Sequence, residues 1–214
     1  MPTIVSPPPE VREQRVVMNR VSWETYERLL AANVDASSPR LTYNQGTLEI
    51  MSPSVEHERV KKALATIGEF VAEEQGREFE DLGSATFRRR DFEGGAEPDA
   101  CFYLRNVERI RRKQEIDLAV DPPPDLVIEV QITNPAVSKL PIYARLGVPE
   151  IWLTDGRGVR ILRLAEGEYK SSQKSEVLPP LTELVLSEFL QQSKTLTMLA
   201  WRRVVRNWAR QQTR

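Results

Sequence analysis

Pro122-Pro123-Pro124-Asp125-Leu126-Val127-Ile128-Glu129-Val130-Gln131-Ile132 is the stretch on which the fold turns. Consecutive prolines hold the chain extended and bar a helix. The run from Leu126 to Ile132 is then almost continuously apolar, rich in β-branched side chains and short for a buried helix. It predicts a central strand covered on both faces. Glu129 interrupts it. A lone carboxylate in such a strand is costly to desolvate unless a cation or hydrogen-bond donors meet it.

Working outward, Ser138 to Leu146 is helical in pattern and closed by Gly147 and Pro149. Glu150 to Thr154 reads as the next strand, which completes a βαβ-like unit. Val159 to Leu164 and Glu168 to Lys170 form a hairpin, and the pattern from Leu184 onward is helical. Upstream, Val60, Leu64, Ile67, Phe70 and Val71 recur at three- and four-residue steps, an amphipathic helix from Val55 to Gln75. Leu41 to Asn44 and Thr47 to Met51 flank Gln45-Gly46, a hairpin signal. Ser22 caps a first helix carrying Trp23, Tyr26, Leu29 and Leu30, which the turn residues from Asn33 to Pro39 end. Further strands are expected at Glu78 to Leu82, Ala85 to Arg89 and Asp99 to Leu104, with Glu93-Gly94-Gly95 as a turn between the last two. The class is α/β (α+β), a mixed β-sheet flanked by helices. Residues 1–17, with Pro7-Pro8-Pro9, are expected to be a flexible lead-in outside the fold. Residues 18–190 form the domain, and residues 191–214 a basic helical tail.

The 214 residues carry 30 basic and 31 acidic side chains, a net charge of -1 that names no partner. A neutral chain still binds nucleic acid when its Lys and Arg collect on one face. One cysteine, Cys101, and one histidine, His57, exclude a disulfide framework and leave too few soft ligands for a structural zinc site. The apolar runs fall far short of the roughly 20 residues that span a membrane, and Met1 to Glu10 shows no secretory signal. A cytoplasmic protein with no membrane partner is therefore expected. Neither a phosphate-binding glycine loop nor a G-x-S-x-G nucleophile turn occurs.

Asp99, behind Pro98 at the head of a strand, is the second conspicuous acid. Carboxylates on neighbouring strands suit Mg²⁺ or Mn²⁺, hard cations that take oxygen ligands and keep water. The alternative for Glu129 is an Arg or Lys partner. Lys139, near the start of the next helix, is placed to swing back toward the strand end and oppose charge on a phosphate. Taken alone it reads equally well as a solvated first-turn lysine. His57 heads the long helix, suited to moving a proton near neutral pH or to bonding the Ser52 to Ser54 turn. Glu56 and Glu58 beside it are weaker candidates, and Cys101 reads as a small core residue. Arg88-Arg89-Arg90 and the tail arginines 202, 203, 206, 210 and 214 concentrate positive charge. The tail also carries Trp201, Val204, Val205 and Trp208 on one helical face, which favours docking against the chain's own core or a second subunit over contact with nucleic acid, with a membrane surface last.

Glu97-Pro98-Asp99, the run Pro123 to Val130, and Lys139-Leu140-Pro141-Ile142-Tyr143-Ala144-Arg145-Leu146-Gly147-Val148-Pro149-Glu150-Ile151-Trp152 together resemble the Uma2 family of endonucleases, abundant in cyanobacteria. That family sits within the PD-(D/E)XK restriction-endonuclease-like superfamily. Glu49-Ile50-Met51-Ser52-Pro53 followed by Glu56-His57-Glu58 fits the same pattern. The resemblance implies a restriction-endonuclease-like domain and an endonuclease that hydrolyses DNA with Mg²⁺ (or Mn²⁺). It makes Asp99 and Glu129 the metal-binding acids, with His57 close to them, and a homodimer is the natural partner state for cutting both strands. The superfamily's usual lysine stands two residues after the acid, where this chain has Gln131. Lys139 is preferred for that role, with Gln131 the other candidate. Gln131 also keeps open a different class of function, a nuclease-derived nucleic-acid-binding or interaction module without turnover.

Overall fold

The structure, a computed structural model, describes residues 13–33 and 38–212. The lead-in before residue 13, most of the turn expected after Asn33, and Arg214 lie outside the described residues.

Leu126–Val130 is a strand, β8, buried along its whole length. Its side chains alternate, as strand geometry requires. Leu126, Ile128 and Val130 enter one core while Val127 enters another, which sends Glu129 to the Val127 side. Five further strands join β8 in one sheet: β4 (Glu80–Asp81), β7 (Ala100–Tyr103), β9 (Glu150–Thr154), β10 (Val159–Ala165) and β11 (Glu168–Ser172). The order is β11-β10-β9-β8-β7-β4. β8 pairs parallel with β9 and antiparallel with β7. The parallel pair is connected through helix α4 (Leu140–Leu146), which Gly147 ends in the left-handed conformation at φ 81°.

Helices α2 (Val55–Glu74), α5 (Glu183–Thr195) and α6 (Met198–Gln212) cover one face, where Leu64, Ile67, Phe102, Ile128, Trp152, Leu186 and Trp201 share a core. α4 covers the other with Ile142, Tyr143 and Leu146 against Val127, Ile151 and Leu153. A four-residue helix, α3 (Val107–Ile110), lies in the charged link before β8.

A second, antiparallel sheet has the order β1-β3-β2-β6-β5, built from β1 (Gln14–Met18), β2 (Arg40–Asn44), β3 (Thr47–Ser52), β5 (Phe87–Arg89) and β6 (Gly94–Ala96). Gln45 and Gly46, at φ 46° and 87°, make the expected two-residue turn between β2 and β3. Helix α1 (Trp23–Ala32) packs Trp23 and Tyr26 against Leu41, Tyr43 and Leu48, and the Tyr26 and Tyr43 rings stack at 4.8 Å.

Two expectations are corrected here. β1 falls inside the segment expected to be flexible, yet it pairs with β3 along Gln14 to Met18. Its exposed Val16, Val17 and Met18 show no buried face, so hydropathy gives no sign of a strand anchored by its charged residues. The turn expected at Glu93-Gly94-Gly95 lies earlier and includes only Glu93 of the three. The chain reverses over a 3-10 turn at Arg90–Phe92 with Glu93 left-handed, and Gly94–Ala96 is β6. A Cβ on Gly95 would stand 2.3 Å from the Tyr26 hydroxyl, so close packing rather than turn geometry requires glycine there.

The tail belongs to the main core, with no boundary in the packing at residue 190. Trp201, Val205 and Ala209 are buried, and Trp201 Nε1 donates to Phe189 O at 2.8 Å. Arg206 and Arg210 pair with Glu73 and Glu74 of α2, which offsets part of the positive charge of the tail. Arg88 and Arg90 likewise meet Glu27 and Glu24 of α1, and Arg89 meets Asp91. Trp201→Ala should lower the unfolding free energy by about 3–5 kcal/mol, whereas Arg203→Ala on the exposed face should stay within about 0.5 kcal/mol of the parent. Urea denaturation reads both, and equal effects would contradict the docking of α6.

Candidate active site

The site lies where the two sheets meet. β6 ends the antiparallel sheet, and after Glu97-Pro98-Asp99 the chain enters β7 of the other. Asp99 N–H donates to Ile128 O at 3.2 Å, which extends the β7–β8 pairing by one residue and sets Asp99 opposite Glu129. Both are buried, at 1% and 2% exposure.

Lys139 meets Glu129 from the cap position ahead of α4. A cation at a helix start opposes the helix dipole, so the carboxylate is what makes this placement favourable. Lys139 Nζ donates to Glu129 Oε2 at 3.0 Å, to Oε1 at 3.2 Å, and to Glu97 O at 2.7 Å. One turn later on α4, the Tyr143 hydroxyl donates to Glu129 Oε1 at 2.6 Å. Burial, reinforced by the Glu129 charge, pushes the Tyr143 hydroxyl far up, so it remains a donor.

Asp99 is held from the other side. Its Oδ1 accepts from His57 Nε2 at 2.8 Å and pairs with Arg40 of β2, while its Oδ2 accepts the Val130 N–H at 2.6 Å. The His57 ring is fixed because Ser54 caps α2, its Oγ accepting the His57 N–H at 3.2 Å. The turn bond expected for His57 is made by its backbone, which leaves its ring free to contact Asp99. On the far side of the ring, Nδ1 lies 2.5 Å from Glu13 Oε1.

Glu13 also bonds Thr133, and Arg15 bridges Glu13, Glu49 and Thr133. Glu49 accepts the Ala136 N–H at 2.5 Å and the Val137 N–H at 3.3 Å. The segment between β8 and α4, which must deliver Lys139, is therefore tied down by acids from β3 and from the residue ahead of β1. Burial alone would raise the Glu13 carboxyl. Hydrogen bonds from His57, Thr133 and Arg15 outweigh that and hold it at about 2, below its ordinary 4.5. Glu97, bonded to the Leu41 N–H and Thr86, is shifted the opposite way, its burial prevailing over those bonds.

A divalent cation is tested here by the donors left over. A carboxylate offers about four lone-pair sites. Asp99 Oδ1 and Glu129 Oε1 each receive two donors, whereas Asp99 Oδ2 and Glu129 Oε2 receive one each. One acceptor position on each acid is left for a cation. Among the described residues no group of three or more His, Cys, Asp or Glu side chains forms a metal cage. Two carboxylates completed by water suit Mg²⁺ or Mn²⁺ and not a structural zinc ion.

Asp99, Glu129, Lys139 and His57 are brought together. Gln131 stands just beyond β8, its N–H donating to Thr154 O at 2.8 Å, and it lines the cleft with Glu129 and Lys139. Glu58 is 42% exposed and pairs with Arg40 and Lys61 at the margin. Glu56 is exposed, and Cys101 is wholly buried, its thiol pushed up by desolvation and inert. Glu13, Arg15, Arg40, Glu49 and Tyr143 were not among the candidates. Of these Glu49 and Tyr143 carried a signal, Glu49 in the motif that closes the hairpin and Tyr143 four residues after Lys139, which on a helix puts both on one face.

A family model described as "Uma2: Putative restriction endonuclease" matches residues 23–199. A crystal structure of a "putative nuclease belonging to DUF820" from Anabaena variabilis superposes with a TM-score of 0.53 at 19% identity, covering 79% of this chain and 99% of that one. No curated protein matches this chain.

The Glu13 contacts carry a pH signature. A carboxyl held below its unfolded value contributes stability above that value and loses it as the pH falls toward the folded one. The stability gap between the parent and Glu13→Gln should therefore be full at pH 7 and close between about pH 4.5 and 2. Urea midpoints across that range measure it, and a constant gap would show that Glu13 does not bond His57 as an ionised acid.

Proposed function

Because the chain belongs to the Uma2 family, whose description is "Putative restriction endonuclease", we propose that it hydrolyses phosphodiester bonds of DNA with Mg²⁺ or Mn²⁺ held by Asp99 and Glu129. The observation that carries this is the position of Lys139, whose ammonium sits 3.0 Å from Glu129 although it is absent from the superfamily's usual place two residues after the acid. A buried cation beside two acids on adjacent strands supplies the three charges that such a reaction uses.

Asp99 and Glu129 would hold the divalent cation, which would supply Lewis acidity toward a phosphoryl oxygen and lower the pKa of water. The chain's own side chains supply the remainder. Asp99 is oriented by the Val130 N–H, His57 and Arg40, and Glu129 by Lys139 and Tyr143. Lys139 opposes the negative charge that grows on the phosphate in the transition state. Its three donors are already taken by Glu129 Oε1, Glu129 Oε2 and Glu97 O, so it acts on the phosphate through its charge, and a direct bond requires releasing one of these. His57, between Glu13 and Asp99, has a partner on each ring nitrogen, an arrangement suited to fixing Asp99 and relaying a proton. DNA is the proposed partner; Arg15, Arg40 and Lys139 line a cavity of about 10 Å³ beside Glu129, room for about one water, so a phosphate reaches the acids only where this cavity opens.

Plasmid and single-stranded DNA incubated with the protein and Mg²⁺ or Mn²⁺ test this. Asp99→Ala should abolish cutting. Lys139→Ala should slow it by about 10²- to 10³-fold, the effect of removing one transition-state donor, and Gln131→Ala should lose much less. The Lys139 variant leaves Glu129 with Tyr143 as its side-chain donor, so its folding is checked by melting in saturating Mn²⁺. Equal cutting by parent and Asp99→Ala would assign the activity to a contaminant. Greater damage from Gln131→Ala would withdraw the role of Lys139.

A further inference from the structure

Gln131 is the residue that the catalytic assignment leaves without a role. It lines the cleft with Glu129 and Lys139, and it also lines a second, more open groove of about 420 Å³ that runs along the ends of β8, β9 and β10. The two depressions share this side chain as a wall. The volume lies within the range of small-ligand sites.

The groove's chemistry narrows what fits. The side chains of Gln131, Asn134 and Arg160 take no hydrogen-bond or ion-pair partner among the described residues. The two carboxamides each present a donor and an acceptor. Leu153 and Val159 line the groove but are buried in the cores on opposite faces of the sheet, so the groove is mainly polar, with the Asp155 carboxylate among its walls. Asp155 accepts the Arg157 N–H at 2.8 Å and the Gly158 N–H at 3.2 Å, which hold its carboxyl below the usual range and keep it ionised. Asp155 and Arg160 leave the groove with one charge of each sign, so it does not suit a ligand that is only a phosphate. An uncharged planar ring with donors and acceptors along its edge suits it better, and carboxamides pair with such edges two bonds at a time. The single unpaired cation, Arg160, is exposed on β10, enough for one phosphate beside the ring.

Resting on the nuclease function above, we propose that this groove seats an unpaired nucleobase next to the scissile phosphate. Gln131 and Asn134 bond the base edge, and Arg160 meets the adjoining phosphate. A base paired in a duplex has its Watson–Crick edge occupied and is stacked on its neighbours, so the preferred substrate is a strand that is single or locally opened at the cut. An uncharged Gln at position 131 then serves recognition, while Lys139 supplies the charge.

Fluorescence anisotropy with end-labelled single-stranded and duplex oligonucleotides of one sequence, in EDTA so that turnover is excluded, tests the groove. The parent should bind the single strand more tightly. Asn134→Ala and Arg160→Ala should each weaken single-strand binding by about three- to tenfold, change duplex binding by less than about twofold, and leave the melting temperature unchanged. Duplex bound as tightly as single strand, no binding of either, or variants indistinguishable from the parent would each overturn the proposal. Metal-dependent cutting that Asp99→Ala abolishes, with both groove variants unaltered in affinity, overturns the groove alone. Groove-dependent oligonucleotide binding without metal-dependent cutting overturns the nuclease function and leaves the groove.

Discussion

Two carboxylates, Asp99 and Glu129, are carried into the interior on adjacent strands, and the surrounding elements must compensate their charge. Desolvating an ion costs several kcal/mol even after relaxation. The protein meets this with donors of fixed geometry from separate parts of the chain: Lys139 and Tyr143 for Glu129, and Arg40, His57 and the Val130 N–H for Asp99. A metal ion that entered here would find its ligands already oriented. Such a buried ionic cluster is weak evidence for stability. Apolar residues would fill the same positions on β8 at less cost, and that cost is what the proposed hydrolysis accounts for.

The two sheets divide this work. The six-stranded sheet supplies the acids and, through the β8–α4–β9 crossover, Lys139. The antiparallel sheet contributes Arg40, Glu49 and Arg15, which grip the segment before α4 and the Asp99 side of the cleft. Asp99 stands at the passage from one sheet to the other, so a change in how the sheets pack would move one acid relative to its partner. Glu13, His57 and Asp99 form a line across that seam.

Much of this was legible in the sequence, for identifiable reasons. β8 announced itself because an apolar run flanked by prolines admits few alternatives, and α2 because twenty residues of amphipathic repeat are unambiguous. Glu129 stood out as the charge such a strand should not hold, and the ordered motifs around Asp99 and Lys139 carried the family. β1 was not legible, since no buried apolar face marks it and its anchors are Glu13 and Arg15, whose partners are remote in sequence. Arg40 was equally hidden: an arginine before a hairpin is ordinary until the fold sets it on Asp99. The glycines of β6 read as a turn because the pattern cannot show a tyrosine ring against the backbone.

The most direct measurement is a crystal soaked in Mn²⁺, with anomalous scattering collected above the manganese edge. One strong peak should appear between Asp99 and Glu129, about 2.1 Å from an oxygen of each as expected for a small divalent cation, with His57 and Lys139 still on their carboxylates. A peak elsewhere, or none at saturating Mn²⁺, would mean that the two acids serve only their ion pairs, and the metal-dependent hydrolysis proposed for this site would be wrong.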